Sequence, residues 1–144
     1  MVKIRVEVEI RPTEDERKVK KAVLNVFEPE KINIINIGER RLLVAEANSY
    51  YSLLKLHELL RRERILDAAR SYMIKGMAPG LLVFKLNKQA AYMGHVSFVD
   101  YDSEAPLGPI TFIIETSRVS ELVDWLAPPT RMGRPVKEYD MPKE

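Results

Sequence analysis

The amino-acid sequence predicts an α+β fold, with a mixed, mainly antiparallel sheet of about six strands and helices over one face. The first observation is the alternation of apolar and charged residues over residues 2–10, which is typical of a strand with one wet face. The second is that β-like runs outnumber the helical segments, and several lie close enough together to pair as hairpins. The third is that the helical segments carry their apolar residues along one face. The predicted order is β-α-β-β-α(α)-β-(short α)-β-β-α.

A helix is expected directly after the first strand. In the segment PTED, Thr13 and Glu16 have the spacing of a capping box, so we expect the Thr13 side chain to cap this helix. Pro29 ends the helical pattern. The buried face is predicted from five apolar residues, Val19, Ala22, Val23, Val26 and Phe27. The opposite face carries four cations, Arg17, Lys18, Lys20 and Lys21.

The next segments predict a hairpin followed by helical structure. Residues 32–37 and 41–47 are β-like and are separated by a short turn that contains a glycine. Ser49 is placed to cap the helical segment that follows, which extends to about residue 75. Because this stretch is long for one helix of a small domain, we expect a bend, or two helices that meet near Arg61–Arg62.

The second half of the chain predicts three further strands and a last helix. Residues 81–86 are apolar on nearly both faces, as in a central strand. Residues 95–100 and 110–114 are predicted as two more strands, joined by an acidic turn. Ser117 is expected to cap the last helix, which two consecutive prolines end.

The segment KLNKQAAYMG, residues 85–94, interrupts the predicted strands with polar residues. One interpretation is a short helical turn, with Asn87 as N-cap and Gly94 just beyond the C-terminus. The other is a cluster of hydrogen-bond donors for an anion or RNA, formed by Lys85, Asn87, Lys88 and Gln89. Because local structure accounts for the pattern without a ligand, we favour the helical turn.

Composition limits the classes of protein to consider. At 144 residues the chain has the length of one domain, and we expect a single α+β domain over residues 1–129 and an extended polar tail over residues 130–144. The chain has no cysteine, which excludes disulfides, thiol catalysis and cysteine-ligated metal sites. The N-terminus has no signal-peptide pattern, and no apolar run is long enough for a membrane span, so a cytoplasmic location is expected.

Charge is unevenly distributed, although the net charge is only +2. Residues 49–94 carry 8 basic and 3 acidic side chains, whereas residues 95–144 carry 5 and 9. A dedicated nucleic-acid module usually has a larger basic excess. The opposite signs of the two segments are also compatible with self-association.

No motif in the sequence predicts catalysis, a cofactor or a metal. Asp100, Asp102 and Glu104 resemble the start of a calcium loop, but the glycine and glutamate that such a loop needs at its sixth and twelfth positions are missing, so a solvated turn is expected. His57 and His95 have no metal-type spacing and are expected to be structural. Glycine-rich phosphate-binding motifs are also absent.

Two groups of cations are candidates for phosphate contacts. Lys18 and Lys21 lie on the first predicted helix, and Arg61 and Arg62 lie on the long helical segment. A solvated helix face is the alternative, and it is favoured because aromatic residues are not interleaved with these cations as stacking platforms require.

Several segments together resemble a known family. RPTEDERKVKKAVLNVF, LRRERILDAAR, FKLNKQAAYMGHVSF, LGPITFII and VDWLAPPTRMGRP, in this order, are similar to an uncharacterised archaeal family described as RNA-binding-like or exosome-associated. The resemblance extends over residues 2–138. It implies a fold similar to that of the large-subunit ribosomal protein that binds 5S RNA, and a homodimer. It implies no known activity and no catalytic residues.

We therefore expect a non-enzymatic homodimer with an RNA-binding-like fold and weak RNA or ribonucleoprotein association, without cofactor, metal or small-molecule substrate. The alternative is a protein-interaction or assembly module that binds no RNA. The predicted RNA or anion contacts are Lys18, Lys21, Arg61, Arg62, Lys85, Asn87, Lys88 and Gln89.

Overall fold

A six-stranded antiparallel sheet forms the centre of the protein, in a computed structural model that describes residues 1–100 and 107–143. The strand order is β2-β3-β1-β6-β5-β4, and every neighbouring pair is antiparallel. The strands are β1 (Lys3–Ile10), β2 (Lys31–Ile37), β3 (Arg40–Ala47), β4 (Met77–Ala78), β5 (Leu81–Asn87) and β6 (Pro109–Glu115). The predicted α+β fold with a six-stranded sheet is confirmed.

The side chains of strand β1 alternate between the two faces of the sheet. Ile4 lies opposite Ala47 of β3 and Ile114 of β6, and all three residues belong to the buried core. The charged residues of β1 alternate with the apolar ones and lie on the other face, where Glu7 is only partly buried. The alternation of the sequence therefore becomes one helix-covered face and one open face.

Among the described residues, five α-helices and one 3₁₀ turn accompany the sheet. The helices are α1 (Glu16–Val26), α2 (Leu54–Arg62), α3 (Leu66–Lys75), α4 (Lys88–Tyr92) and α5 (Val119–Leu126), and the 3₁₀ turn is Tyr50–Leu53. The long helical segment divides at residues 63–65, where Arg64 has a φ of 57°, so the predicted break is confirmed. No described helix is long and apolar enough to cross a membrane.

Two predicted helix caps are wrong. Asp15, not Thr13, is the N-cap of α1, and its carboxylate accepts a hydrogen bond from Arg17 N at 2.9 Å. Ser117 does not cap α5; instead, Thr116 Oγ1 accepts from Arg118 N at 3.1 Å. In each case the side-chain oxygen of a neighbouring residue accepts the hydrogen bond instead. The predicted cap at Ser49 is confirmed, since its side chain accepts from Tyr51 N.

The prediction of a regular strand over residues 95–100 is also wrong. Ser97 O accepts from Asn87 N, and Val99 N donates to Lys85 O, but only an isolated bridge between Leu86 and Phe98 results. β4 already pairs with the start of β5, so only the end of β5 remains for this segment. The predicted acidic turn falls largely on residues 101–106, which lie outside the described residues.

The C-terminal residues follow the helical layer. Strands β7 (Thr130–Arg131) and β8 (Arg134–Pro135) form a hairpin with a two-residue turn, in which Gly133 has a φ of 79°. Beyond the hairpin, the carboxylate of Glu138 binds Arg61 of α2. Met141 then packs against the core. The division of the chain at residue 129 stays a prediction.

Candidate functional site

The segment after β5 forms the predicted helical turn, α4, and packs against α1. Asn87 Oδ1 accepts a hydrogen bond from Ala90 N at 2.8 Å, and Gly94 follows the helix at a φ of 81°. The side-chain amide of Asn25 donates to the carbonyls of Ala91 and Tyr92, at 2.9 and 3.2 Å. The exposed C-terminal carbonyls of α4 are thereby bound to α1. Asn87 thus has a structural role in the described conformation.

Lys88 is buried at the base of this contact, with 4% of its surface exposed. Its ammonium donates to the Glu14 carboxylate at 2.9 Å and to the carbonyls of Glu9 and Leu107 at 2.7 and 2.6 Å. Burial lowers the pKa of Lys88, while the hydrogen bond and the charge of Glu14 act in the opposite direction. Its three protons are occupied, so Lys88 joins β1, the start of α1 and residue 107 instead of presenting a charge to solvent.

A pocket of about 400 Å³ lies between α1 and α4, above Lys88. Its lining is mainly apolar and includes Lys18, Val19, Ala22, Gln89, Tyr92 and Met93. Gln89 and Met93 are exposed, and Tyr92 is partly exposed. A pocket of this volume falls within the range of small-ligand sites.

Of the lysines on the exposed face of α1, Lys18 lines this pocket. We call Lys18, Lys20 and Lys21 the α1 surface. Within the described parts of the chain, none of these three ammonium groups forms a hydrogen bond or an ion pair with a carboxylate. Lys21 Nζ lies 5.0 Å from the centre of the Tyr92 ring.

The acidic residues at the start of α1 are, by contrast, all engaged. Glu14 binds Lys88 and Arg11 N, and Glu16 binds Arg41. The pKa of Asp15 is lowered, chiefly because its carboxylate accepts the hydrogen bond from Arg17 N. The carboxylates therefore hold the fold, and the lysines of the α1 surface face solvent.

The remaining predicted contacts lie elsewhere. Arg61 is inserted at the end of α5, where its guanidinium donates to the carbonyls of Trp125 and Leu126 at 3.1 Å each. Arg62 is exposed and lines a separate groove between α1 and α2. Lys85 lies in β5, opposite Thr111 of β6 on the open face of the sheet. The structure thus brings Lys18, Lys21, Asn87, Lys88 and Gln89 together and separates Arg61, Arg62 and Lys85 from them.

The two histidines lie outside the pocket. The His57 ring stacks on Trp125, with centroids 4.9 Å apart and 25° between the planes. Burial, and then the charge of Arg61, lower the pKa of His57. His95 Nδ1 lies 3.0 Å from a carboxylate oxygen of Glu63, at the junction of α2 and α3. Among the described residues, no group of three acidic or histidine side chains could hold a metal ion.

Tyr92 and Glu14 are the site residues that the sequence reasoning missed as members of the site. Tyr92 lies four residues after Lys88, so it occupies the same face of α4 and completes the wall of the pocket. Recognising Glu14 requires knowing that α1 and α4 are adjacent, which no local pattern reveals.

Comparison with known proteins gives consistent matches over nearly the whole chain. A family model described as RNA binding matches residues 3–116. The UPF0201 protein of Aeropyrum pernix is 52% identical over 143 residues, covering 99% of this chain and 95% of the relative. That of Metallosphaera sedula is 49% identical over 144 residues and covers 100% of both chains.

Solved structures show the same fold. The crystal structure of the UPF0201 protein from Methanococcus jannaschii matches with a TM-score of 0.82 and 35% identity, covering 94% of this chain and 99% of that chain. A DUF54 protein from Methanothermobacter thermautotrophicus matches with a TM-score of 0.55 and 20% identity, covering 82% and 89%. The second likeness concerns the fold alone.

Proposed function

This chain belongs to the archaeal UPF0201 protein family, whose family model is described as RNA binding, and on that premise we propose that it associates with RNA or ribonucleoprotein particles without catalysing a reaction. The contact lies on the α1 surface, with Lys18 and Lys21 as phosphate ligands and Gln89 beside them. The fold similarity to the 5S-RNA-binding ribosomal protein, expected from the sequence, belongs to the same proposal.

One observation carries this proposal. The three carboxylates that begin α1 are each bound to a cation or to backbone N–H, whereas the three lysines of the α1 surface have no carboxylate partner among the described residues. A surface whose carboxylates are paired within the protein and whose ammonium groups face solvent attracts polyanions. A catalytic role is not proposed, because Glu14 and Lys88, the ionisable groups deepest in the pocket, neutralise each other.

The test is RNA binding by fluorescence anisotropy at low and rising salt. We expect the wild type to bind an RNA pool at low salt and the Lys18→Glu/Lys21→Glu variant to bind more weakly. Loss of two phosphate contacts lowers the slope of log affinity against log salt by about 1.4 for single-stranded RNA.

A matched control is available on other elements. Lys31 is exposed at the start of β2, and Lys137 Nζ lies 4.9 Å from the Tyr139 ring, much as Lys21 lies over Tyr92. Lys31→Glu/Lys137→Glu carries the same change of net charge and should retain the slope. Equal slopes for the two double variants, or a wild type that binds no RNA at low salt, would contradict the proposal.

We further propose that the protein is a homodimer in the cytoplasm, a compartment that suits a chain without cysteine. β2 ends the sheet in the strand order, and Ile35 and Ile37 are 39% and 58% exposed along it. Edge strands of this kind pair readily with a second chain. Light scattering over a dilution series should give twice the monomer mass. Ile37→Lys should lower the measured mass toward that of the monomer.

The same edge supports a second candidate function, assembly with proteins and no RNA. The two functions can be distinguished with the same variants. If the function is assembly, Ile37→Lys should disrupt complexes with partner proteins, and Lys18→Glu/Lys21→Glu should not. If the function is RNA association, Lys18→Glu/Lys21→Glu should weaken complexes with RNA, and Ile37→Lys should not.

A further inference from the structure

We propose that the pocket between α1 and α4 takes one unstacked nucleobase of single-stranded RNA, with Tyr92 as the stacking residue and Gln89 as the group that contacts the base edge. This inference rests on the proposed RNA association and adds the class of RNA and the mode of contact. The pocket has a mainly apolar lining, an unpaired amide among its described residues, and lysines beside it.

The pocket has the volume and the mainly apolar lining that a flat, partly apolar group needs. Val19 and Ala22 of α1 form one wall and are buried, while Tyr92 of α4 and the residue that follows it, Met93, form the other. Met93 is 69% exposed, so its side chain is accessible to a bound group. A base stacked on an aromatic ring and covered by a thioether would bury this surface.

The hydrogen-bonding groups of the pocket separate into engaged and free ones. The carboxylates of Glu14 and Asp15 and the ammonium of Lys88 are engaged within the fold. In the described parts of the chain, the exposed amide of Gln89 forms no hydrogen bond. An amide offers both a donor and an acceptor, which suits the edge of a base. Bases in a duplex have these edges paired, so the site selects single strands.

The charges at the mouth place the phosphate. Lys18 lines the opening without a carboxylate partner among the residues described, and Lys21 lies over the Tyr92 ring. The ammonium of Lys21 can leave the ring for a phosphate, which exposes the aromatic face to the incoming base. Stacking and phosphate contact then form together, at adjacent positions of one nucleotide.

The test uses the full-length wild-type protein and three probes: a short single-stranded RNA, the same RNA with one abasic position, and its duplex. We expect the single strand to bind more tightly than the duplex or the abasic strand. Tyr92→Ala should weaken single-strand binding roughly 5- to 150-fold, the range of a lost base–aromatic stack. The control is Tyr51→Ala, since Tyr51 is 66% exposed on the 3₁₀ turn and does not line this pocket; it should bind normally.

Cross-linking locates the base independently of affinity. A single-stranded RNA with one 4-thiouridine should, on irradiation, attach to the peptide that contains Tyr92 and Met93. Gln89→Ala is the second variant, because Gln89 is exposed and its removal should leave the fold unchanged. This variant should lower the preference for the intact over the abasic strand.

The outcomes distinguish this inference from the function on which it rests. If the wild type binds no RNA of any form, the proposed function fails. If it binds single-stranded, abasic and duplex RNA equally, with Lys18→Glu/Lys21→Glu weakened but Tyr92→Ala and Gln89→Ala unchanged, the function stands and the nucleobase pocket is refuted. A cross-link that maps away from α4 refutes it as well.

Discussion

Two regions of the helical layer carry cations, and they use them differently. At the α5 end, which comprises Arg61, Arg70 and the carbonyls of residues 125–127, the guanidinium groups are bound to the protein itself. At the α1 surface, the ammonium groups of Lys18, Lys20 and Lys21 face solvent. Both regions appear in the sequence as charged residues on a helix, so charge alone does not separate structural from functional cations.

The difference lies in what surrounds each cation. α5 ends at Leu126 and is followed by two prolines, which cannot donate a backbone hydrogen bond to its last carbonyls. The planar fork of arginine replaces those donors, and Arg70 binds Ala127 O at 3.0 Å and Asp124 at 2.8 Å. α1 ends in the apolar residues Val26 and Phe27 and gives its lysines no such acceptors.

The largest expected effect concerns Lys88, which lies in the α1–α4 region but is bound as firmly as the arginines of the α5 end. Lys88→Met removes the ammonium that binds the Glu14 carboxylate and two carbonyls, and breaking a buried ion pair in this way costs about 3 to 5 kcal/mol. Urea denaturation followed by circular dichroism measures the free energy of unfolding.

Lys20→Met is the control for Lys88→Met, since it removes an exposed lysine of the same helix pair and should change stability by less than about 0.5 kcal/mol. Adding Glu14→Gln to Lys88→Met removes the unpaired charge and should restore part of the loss. A loss below about 1 kcal/mol for Lys88→Met, the range of an exposed pair, would show that Lys88 is not a structural residue.

The next effect tests the α5 end directly. Arg61→Ala removes the donor to Trp125 O and Leu126 O and the partner of Glu138, and hydrogen bonds from a charged group suggest a loss of about 2 to 3 kcal/mol. Arg61→Lys should recover little, because one ammonium cannot reach both carbonyls and the carboxylate in the geometry of the guanidinium fork. Full recovery with lysine would mean that charge, not geometry, matters at this end.

A smaller effect depends on pH. Because burial lowers the pKa of His57, the unfolded chain binds its proton first on acidification. The contribution of His57 to stability is fully present above the ordinary pKa of 6.5. It falls as the pH drops below that value and levels off below the pKa of the folded state. Denaturation of wild type and His57→Gln between pH 7.5 and about 5 isolates this contribution, because His95 is present in both proteins. Identical pH dependence in the two would exclude it.

The sequence predicts most of the fold because its signals are local. The alternation in β1, the hairpin of β2 and β3, and the cap at Asn87 each depend on a few neighbouring residues. The strand expected over residues 95–100 failed because its apolar pattern reflects burial of Phe98 beside a partly occupied strand edge.

The site was less predictable, for a physical reason. Lys88 and Lys18 both lie in the first turn of a helix, but Lys88 lies beneath α1 with Glu14 and two carbonyls, and Lys18 lies on the surface of α1. Arg61 meets the end of α5 through a contact that spans 65 residues. Contacts of this range depend on how the helices are arranged on the sheet, and a single sequence does not encode them as a local pattern.

The smallest effect on stability is expected at the α1 surface, and it completes the comparison. Lys18→Ala and Lys21→Ala should each change the free energy of unfolding by less than about 0.5 kcal/mol, because exposed side chains without a carboxylate partner contribute little to the folded state. The same variants should lower RNA affinity and its salt dependence, whereas a structural cation would show the reverse. Chemical denaturation and anisotropy on the same samples measure both quantities. A stability loss for Lys18→Ala as large as that for Arg61→Ala would place Lys18 among the structural cations and remove the basis for assigning RNA contact to this surface.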